Sequence, residues 1–200
     1  MKTIPNSANV VILAANYNPS IVSKDWLSQK EIFTDPPKNF VHTPVLSLVE
    51  GDQFGFTLDQ SRLQFTVKKV TEESLAAMSS APLRFVKALP ETPFRALGFN
   101  YEFIVSKSKC HLNAVISPND AKLRELLGDK YELGAMVAFT FEEFFTTLTI
   151  IPSLNGDDQI RIAFNFHSKV NGASEAEHRL SMHQKTIEKA SSIVGGVCDA

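Results

Sequence analysis

An α+β fold built from a duplicated unit is what this sequence predicts, and three observations predict it. A short phrase occurs twice, as Ala15-Asn16-Tyr17 followed by Ile21-Val22-Ser23-Lys24, and as Phe99-Asn100-Tyr101 followed by Ile104-Val105-Ser106-Lys107. A one-residue gap brings both matches into line, and self-similarity at long period marks repeated architecture. Around the phrase the order strand, helix, antiparallel strands, helix is read twice, and each half contains runs in which apolar and polar residues alternate with period two. The expected body is a curved antiparallel sheet with helices packed on one face. Residues 1–90 form a first α+β repeat and 91–200 a second, joined in one compact body.

In the first half, Val10 to Leu13 is a continuous apolar run of strand length, and a largely buried strand is expected over Val10–Tyr17. Asn18-Pro19 ends it. Ile21, Val22, Trp26 and Leu27 then recur at helical spacing, which predicts a helix over Ser20–Glu31. Asp35-Pro36-Pro37 enforces a loop. Phe54, Phe56 and Leu58 alternate with polar or small residues, and after Asp59-Gln60-Ser61 the alternation resumes at Leu63, Phe65 and Val67, the pattern of a hairpin with one packed and one wet face. Thr71 caps a helical stretch whose first turn holds Glu72 and Glu73, where negative charge suits the helix dipole. Pro82 is expected to interrupt that stretch, giving two short helices or one kinked helix.

The second half opens with a strand over Phe94–Ser106, in which Gly98 marks a bulge or a close backbone contact. Ser117-Pro118-Asn119-Asp120 reads as a helix start with Ser117 as N-cap and Pro118 at the first helical position, and Gly128 as the stop. Strands follow over Tyr131–Phe141 and Phe144–Ile151, turned through Glu142-Glu143. After a turn at Asn155-Gly156-Asp157-Asp158 comes a strand with Ile160, Ile162, Phe164 and Phe166 on one face and His167 on the other. Ser174 is placed as the cap of one long closing helix. Its apolar stripe runs Ala176, Leu180, His183, Ile187, Ala190 and Val194, and Gly195-Gly196 is its expected end.

This element order resembles the saddle of the TATA-binding protein family and, less closely, the repeated unit of sliding clamps. The long final helix over Phe-rich strands also resembles helix-grip proteins in outline. The resemblance implies a shape, and function has to be argued from the site.

Bulk properties narrow the class. A chain of 200 residues buries roughly 70% of its unfolded surface and needs no crosslink to hold a core. Its 44% hydrophobic and 21% charged residues are ordinary for a globular protein. Fifteen Phe against one Trp and three Tyr place large rings without hydrogen-bonding groups in the interior, or around something apolar. The net charge of -2 removes the broad positive field that drives non-specific nucleic-acid binding. No apolar run approaches the ~18–20 residues of a membrane span and no charged leader with a cleavage site is read, so no membrane partner and a cytoplasmic location are expected. There Cys110 and Cys198 are expected as free thiols; they pair only if the C-terminus folds back beside the middle of the chain.

The candidate chemistry is thin. Cys110-His111 places a thiol beside an imidazole, but neighbours on an extended strand point apart, and no orienting acid accompanies them. His178 and His183 are five apart, where two ligands on one helical face need a spacing of three or four. His183 reads as a hydrogen-bonded packing residue. Glu142-Glu143 and Asp157-Asp158 fall at strand turns and match no calcium loop. No catalytic set, metal site or cofactor is therefore expected. The binding candidates are Asn16, Tyr17, Asn100 and Tyr101, whose repetition reads either as a strand-end packing device or as a shared binding face, and His167 on the wet side of its strand. The functional expectation is a non-enzymatic protein-interaction module, a subunit or adaptor of a cytoplasmic assembly with a protein partner or a second copy. The alternatives are a carrier of a small apolar ligand between sheet and C-terminal helix, or a nucleic-acid-binding saddle.

Overall fold

The computed structural model describes residues 3–33, 37–111, 116–153 and 158–198. The chain runs through β1 (Ser7–Ala14), a 3-10 turn (Pro19–Ile21), α1 (Lys24–Gln29), β2 (Asn39–His42), β3 (Leu46–Glu50), β4 (Phe54–Asp59), β5 (Arg62–Val67), α2 (Glu72–Ala77) and α3 (Ser80–Ala88). It continues with β6 (Phe94–Val105), a 3-10 turn (Lys107–Lys109), α4 (Asp120–Leu127), β7 (Ala135–Phe141), β8 (Phe144–Pro152), β9 (Ile160–Lys169), α5 (Ala173–Ser181) and α6 (His183–Val197).

The strands form one antiparallel sheet in the order β2-β3-β4-β5-β1-β6-β9-β8-β7. At its centre β1 pairs with β6, from Ser7 opposite Glu102 to Ala14 opposite Phe94, with a register shift after Leu13. Outward from that pair the order runs β5-β4-β3-β2 on one side and β9-β8-β7 on the other.

Paired residues share a face, so the register sorts the whole sheet. On one face lie Val10, Phe65, Phe56, Phe99, Phe164 and Phe166, all buried. Helices cover this face: the Phe85 ring of α3 lies 5.9 Å from Phe56, and Tyr101 of β6 hydrogen-bonds Thr186 of α6 at 2.8 Å. Edge-to-face and tilted ring pairs such as Phe56–Phe65 at 5.0 Å and Phe99–Phe144 at 5.7 Å fill the layer between, the arrangement that ring quadrupoles favour. The opposite face, carrying Asn9, Gln64, Asn100, Asn165 and His167, is left open.

Several boundaries depart from the sequence expectation. β1 ends at Ala14, because Ala14 N–H turns to the Ser61 carbonyl and Tyr17 N–H to the Gln60 carbonyl, drawing the chain off the sheet. The helix expected over Ser20–Glu31 is a 3-10 turn capped by Asn18, then α1 capped by the Ser23 hydroxyl. Thr71 forms a capping box with Ser74. The stretch is two short helices as expected, but Pro82 is not the break: it sits in the first turn of α3, where its missing N–H costs nothing, and the break falls at Met78-Ser79. Gly98 is a close approach, since a Cβ there would stand 3.0 Å from the Phe166 carbonyl oxygen. α4 starts after Asn119, whose side chain caps Lys122 N–H, and not at Ser117. The strand expected from Tyr131 begins only at Ala135. The loop at Asp35-Pro36 and the turn at Asn155-Gly156-Asp157 lie outside the described residues.

Two corrections matter more. The single closing helix is two helices, because Met182 N–H bonds the Arg179 carbonyl and reorients the chain, and α6 then runs through Gly195-Gly196 to Val197. The cysteines are not free: Cys110 and Cys198 form a disulfide across 88 residues. The C-terminus does fold back beside the end of β6, where His111 N–H donates to the Val197 carbonyl at 2.8 Å. That bond, with Cys198 N–H on the Val194 carbonyl, anchors the helix end that two glycines would otherwise fray. No helix among the described residues is long and apolar enough to cross a membrane.

A candidate binding surface on the open sheet face

Three asparagines from three adjacent strands meet at the centre of the open face. β1 brings Asn9 opposite Asn100 of β6, and β6 brings Asn100 opposite Asn165 of β9. Asn165 Nδ2 donates to Asn100 Oδ1 at 2.6 Å, and Asn100 Nδ2 donates to Asn9 Oδ1 at 2.7 Å. A side-chain amide offers two donors and two acceptor lone pairs, so among the described residues Asn100 keeps one of each unused and its neighbours keep more. The row continues into Thr66 of β5, opposite Asn9, and Thr147 of β8, opposite Asn165. Along β5 a second chain of bonds runs from the Arg62 guanidinium to Gln64 Oε1 and from Gln64 Nε2 to Thr66 Oγ1. A recess of about 210 Å³ opens over this network, bounded by Ser7, Asn9, Asn100, Glu102 and Thr149. Glu102 pairs with Arg161 at 3.4 Å, so the recess carries no net charge from that pair.

Next to the amides the surface turns apolar. His167 stands between Gly98 and Phe145 in the cross-strand row, and Phe145 is 57% exposed. On the outermost strand Met136 is 74% exposed. Large apolar groups thus stand exposed beside the amide row on the same face.

Among the sequence candidates, Asn100 and His167 are brought together here. The others lie elsewhere. Tyr101 points to the helix side, fully buried, its hydroxyl on Thr186, and burial pushes its pKa above the ordinary tyrosine value. Tyr17 is buried beyond the end of β1, its hydroxyl donating to the Ile12 carbonyl at 3.3 Å; burial, and then the nearby Asp59 carboxylate, raise its pKa. Asn16 lies exposed beside it. The echoed phrase therefore falls at different places in the two halves, since Ala8 and Asn9, not Asn16 and Tyr17, stand opposite Tyr101 and Asn100.

Sequence reasoning missed Asn9, Asn165, Thr147 and Phe145. The alternation in Ile160–Phe166 already puts Asn165 on the face of His167, but their convergence with Asn9 depends on the β1–β6–β9 register, which only the folded chain reveals.

The remaining candidates take structural roles. Cys110 is tied up in the disulfide, so it offers no thiolate beside His111 while the bridge stands. His183 Nδ1 lies 2.8 Å from Ser79 Oγ, the packing hydrogen bond expected of it. The Glu142-Glu143 turn is held onto the closing helices, with Glu143 on Arg179 and Glu142 3.7 Å from Lys185. Asp158 accepts from the Ser106 hydroxyl, from the Ser108 hydroxyl and from Ser108 N–H at 2.8 Å, which holds its pKa below the ordinary carboxylate value. No group of three His, Cys, Asp or Glu side chains converges among the described residues.

Comparison of the sequence with known protein families finds no matching family, and comparison with curated proteins finds no match, so the functional reading stands on the geometry of this surface.

Proposed function

We propose that the protein is a non-enzymatic protein-interaction module, a subunit or adaptor of an assembly, that docks its partner on the open face of the sheet. One observation carries the reading: helices cover one side of the sheet, while the other presents a ladder of amides with unfilled hydrogen-bonding capacity beside the exposed Phe145. A partner would fill the amide positions and cover the ring, which is where interface energy concentrates. The two halves, 1–90 and 91–200, are read as copies of one unit, supported by the strand order, which runs from the β1–β6 pair to the last-formed strand of each half first, β5-β4-β3 on one side and β9-β8-β7 on the other, with β2 added at the first edge. Such a pair of copies would make the open face a continuous saddle-like platform. The disulfide favours an oxidising compartment over the reducing cytoplasm expected from the sequence.

A second copy of the chain is the first partner to test. Light scattering over a concentration series is expected to give a mass above the 22.1 kDa of one chain. The double substitution Asn100→Arg and Phe145→Glu should return the protein to monomer with an unchanged circular dichroism spectrum. A wild-type protein that stays at one chain mass, and whose open-face amides exchange as fast in a crude lysate as in isolation, overturns the reading.

A further inference from the structure

A second recess, of about 440 Å³, lies away from the open face, where the segment after β1 crosses beneath the end of α3. That volume is within the range of small-ligand sites, roughly 300–1,000 Å³. Its floor is apolar: Ile21, Leu58, Phe85, Leu89 and the ring of Tyr17. Its lip is polar, with Asn16, Asn18, Thr92 and Glu91.

The fold fixes this shape. Ala15 N–H bonds the Pro93 carbonyl at 3.1 Å and Tyr17 N–H the Gln60 carbonyl at 2.8 Å, so the crossing segment is pinned at both sides. The Tyr17 ring is wedged edge-on between Phe85 and Phe94, at 6.1 and 6.2 Å. Asn18 Oδ1 is spent on Ser20, whereas Asn16 is exposed and faces the opening.

Charge narrows the ligand. Among the described residues Glu91 is the one ionisable group on the lip, and none that lines the recess is Lys or Arg. Among the described residues no cation pairs with Glu91; the nearby Lys87 is turned to Glu177 at 3.9 Å. An apolar floor under a negative lip attracts a positive group attached to an apolar body and repels an anion.

We infer that this recess is a binding site for a small organic cation, a primary ammonium on an aromatic or alkyl group, with the apolar part on Phe85 and Leu58 and the ammonium at the Glu91 carboxylate. The site is separate from the open face and does not depend on what docks there.

Trp26, the one tryptophan of the chain, reports on it directly, because its ring packs 5.8 Å from Phe85. The probes are 2-phenylethylamine, 2-phenylethanol and 3-phenylpropionate, titrated against the full chain while Trp26 emission and heat are followed. The amine is expected to bind most tightly and the carboxylate least. Glu91→Gln should weaken the amine about two- to fivefold, the size of a solvent-exposed ion pair, and leave the alcohol unchanged. Ala88→Phe should abolish binding of all three by filling the recess, and Asn16→Phe, a change at the exposed lip that leaves the core untouched, should do so even if Ala88→Phe fails to fold. Equal affinity for amine and alcohol, amine binding that survives the filling variants, or no binding of any probe overturns the inference.

Discussion

The Ser79 hydroxyl and the His183 ring, 104 residues apart in sequence, meet at 2.8 Å and join the α2–α3 junction to the start of α6. The other ring nitrogen, Nε2, is buried with no hydrogen-bond partner among the described residues. Burial is the main reason that the His183 pKa lies below its ordinary 6.5, with neighbouring carbonyls offsetting part of the effect. The unfolded chain therefore takes up this proton at higher pH than the folded one, and stability falls as pH drops below 6.5 toward the folded-state pKa. The urea midpoint is expected to fall between pH 7 and about pH 5, above the window in which carboxylates titrate. His183→Gln keeps a group that can bond Ser79 but cannot titrate, so it should flatten this part of the curve. A wild-type curve already flat there contradicts the assignment.

The disulfide closes a loop of 88 residues and fastens α6 across the sheet. Removing it with Cys110→Ser and Cys198→Ser should cost about 2–5 kcal/mol, mostly through the larger freedom of the unfolded chain. Urea denaturation of the double variant against wild type measures this. The loss should also appear locally, as faster amide exchange in α6 near Val194–Val197 than in the central strands. Rapid alkylation on cell lysis should trap no free thiol if the bridge forms in the compartment where the protein resides.

The hairpin β4–β5 and the strand β9 were legible because one wet and one packed face impose period two, and Phe at alternate positions makes that period loud. What was not legible has physical reasons. The helix break at Met182 leaves the apolar stripe intact from Leu180 to Ile187, so periodicity does not register it. The disulfide depends on a contact across the whole second half, and β2 is too short and too exposed to carry a pattern. For the open face, alternation showed His167 pointing away from the core. It could not show Asn9, Asn100 and Asn165 in one row, because that needs the register of three strands that are neighbours in the sheet but far apart in sequence.

The Asn ladder carries stability as well as surface chemistry. Asn100 makes two of its bonds, the one to Asn9 partly buried and the one from Asn165 exposed. Asn100→Ala leaves Asn9 Oδ1 and Asn165 Nδ2 without that partner but within reach of water, so the expected cost is about 1–2 kcal/mol. Asn100→Asp should cost more, because its carboxylate can accept from Asn165 but has no N–H to give Asn9. Thermal unfolding of the two variants tests the order. Equal midpoints would mean that the amides bond water and not one another.

Thr146 offers the opposite case, a substitution expected to stabilise. It lies on the helix side of β8, opposite Phe166 of β9 and Phe139 of β7, and is 0% exposed. Among the described residues its hydroxyl has no hydrogen-bond partner. A hydroxyl taken from water without a replacement bond costs about 1–3 kcal/mol, and valine has nearly the same shape without that group. Thr146→Val should therefore raise stability by about 1 kcal/mol or more, read as a melting temperature higher by roughly 2–4 °C for a chain of this size. Thr146→Ser should lower it instead, because it keeps the unpaired hydroxyl and removes a buried methyl from the layer of rings. If valine destabilises as serine does, the hydroxyl has a partner within the core and the packing of β8 against α5 and α6 has to be redrawn.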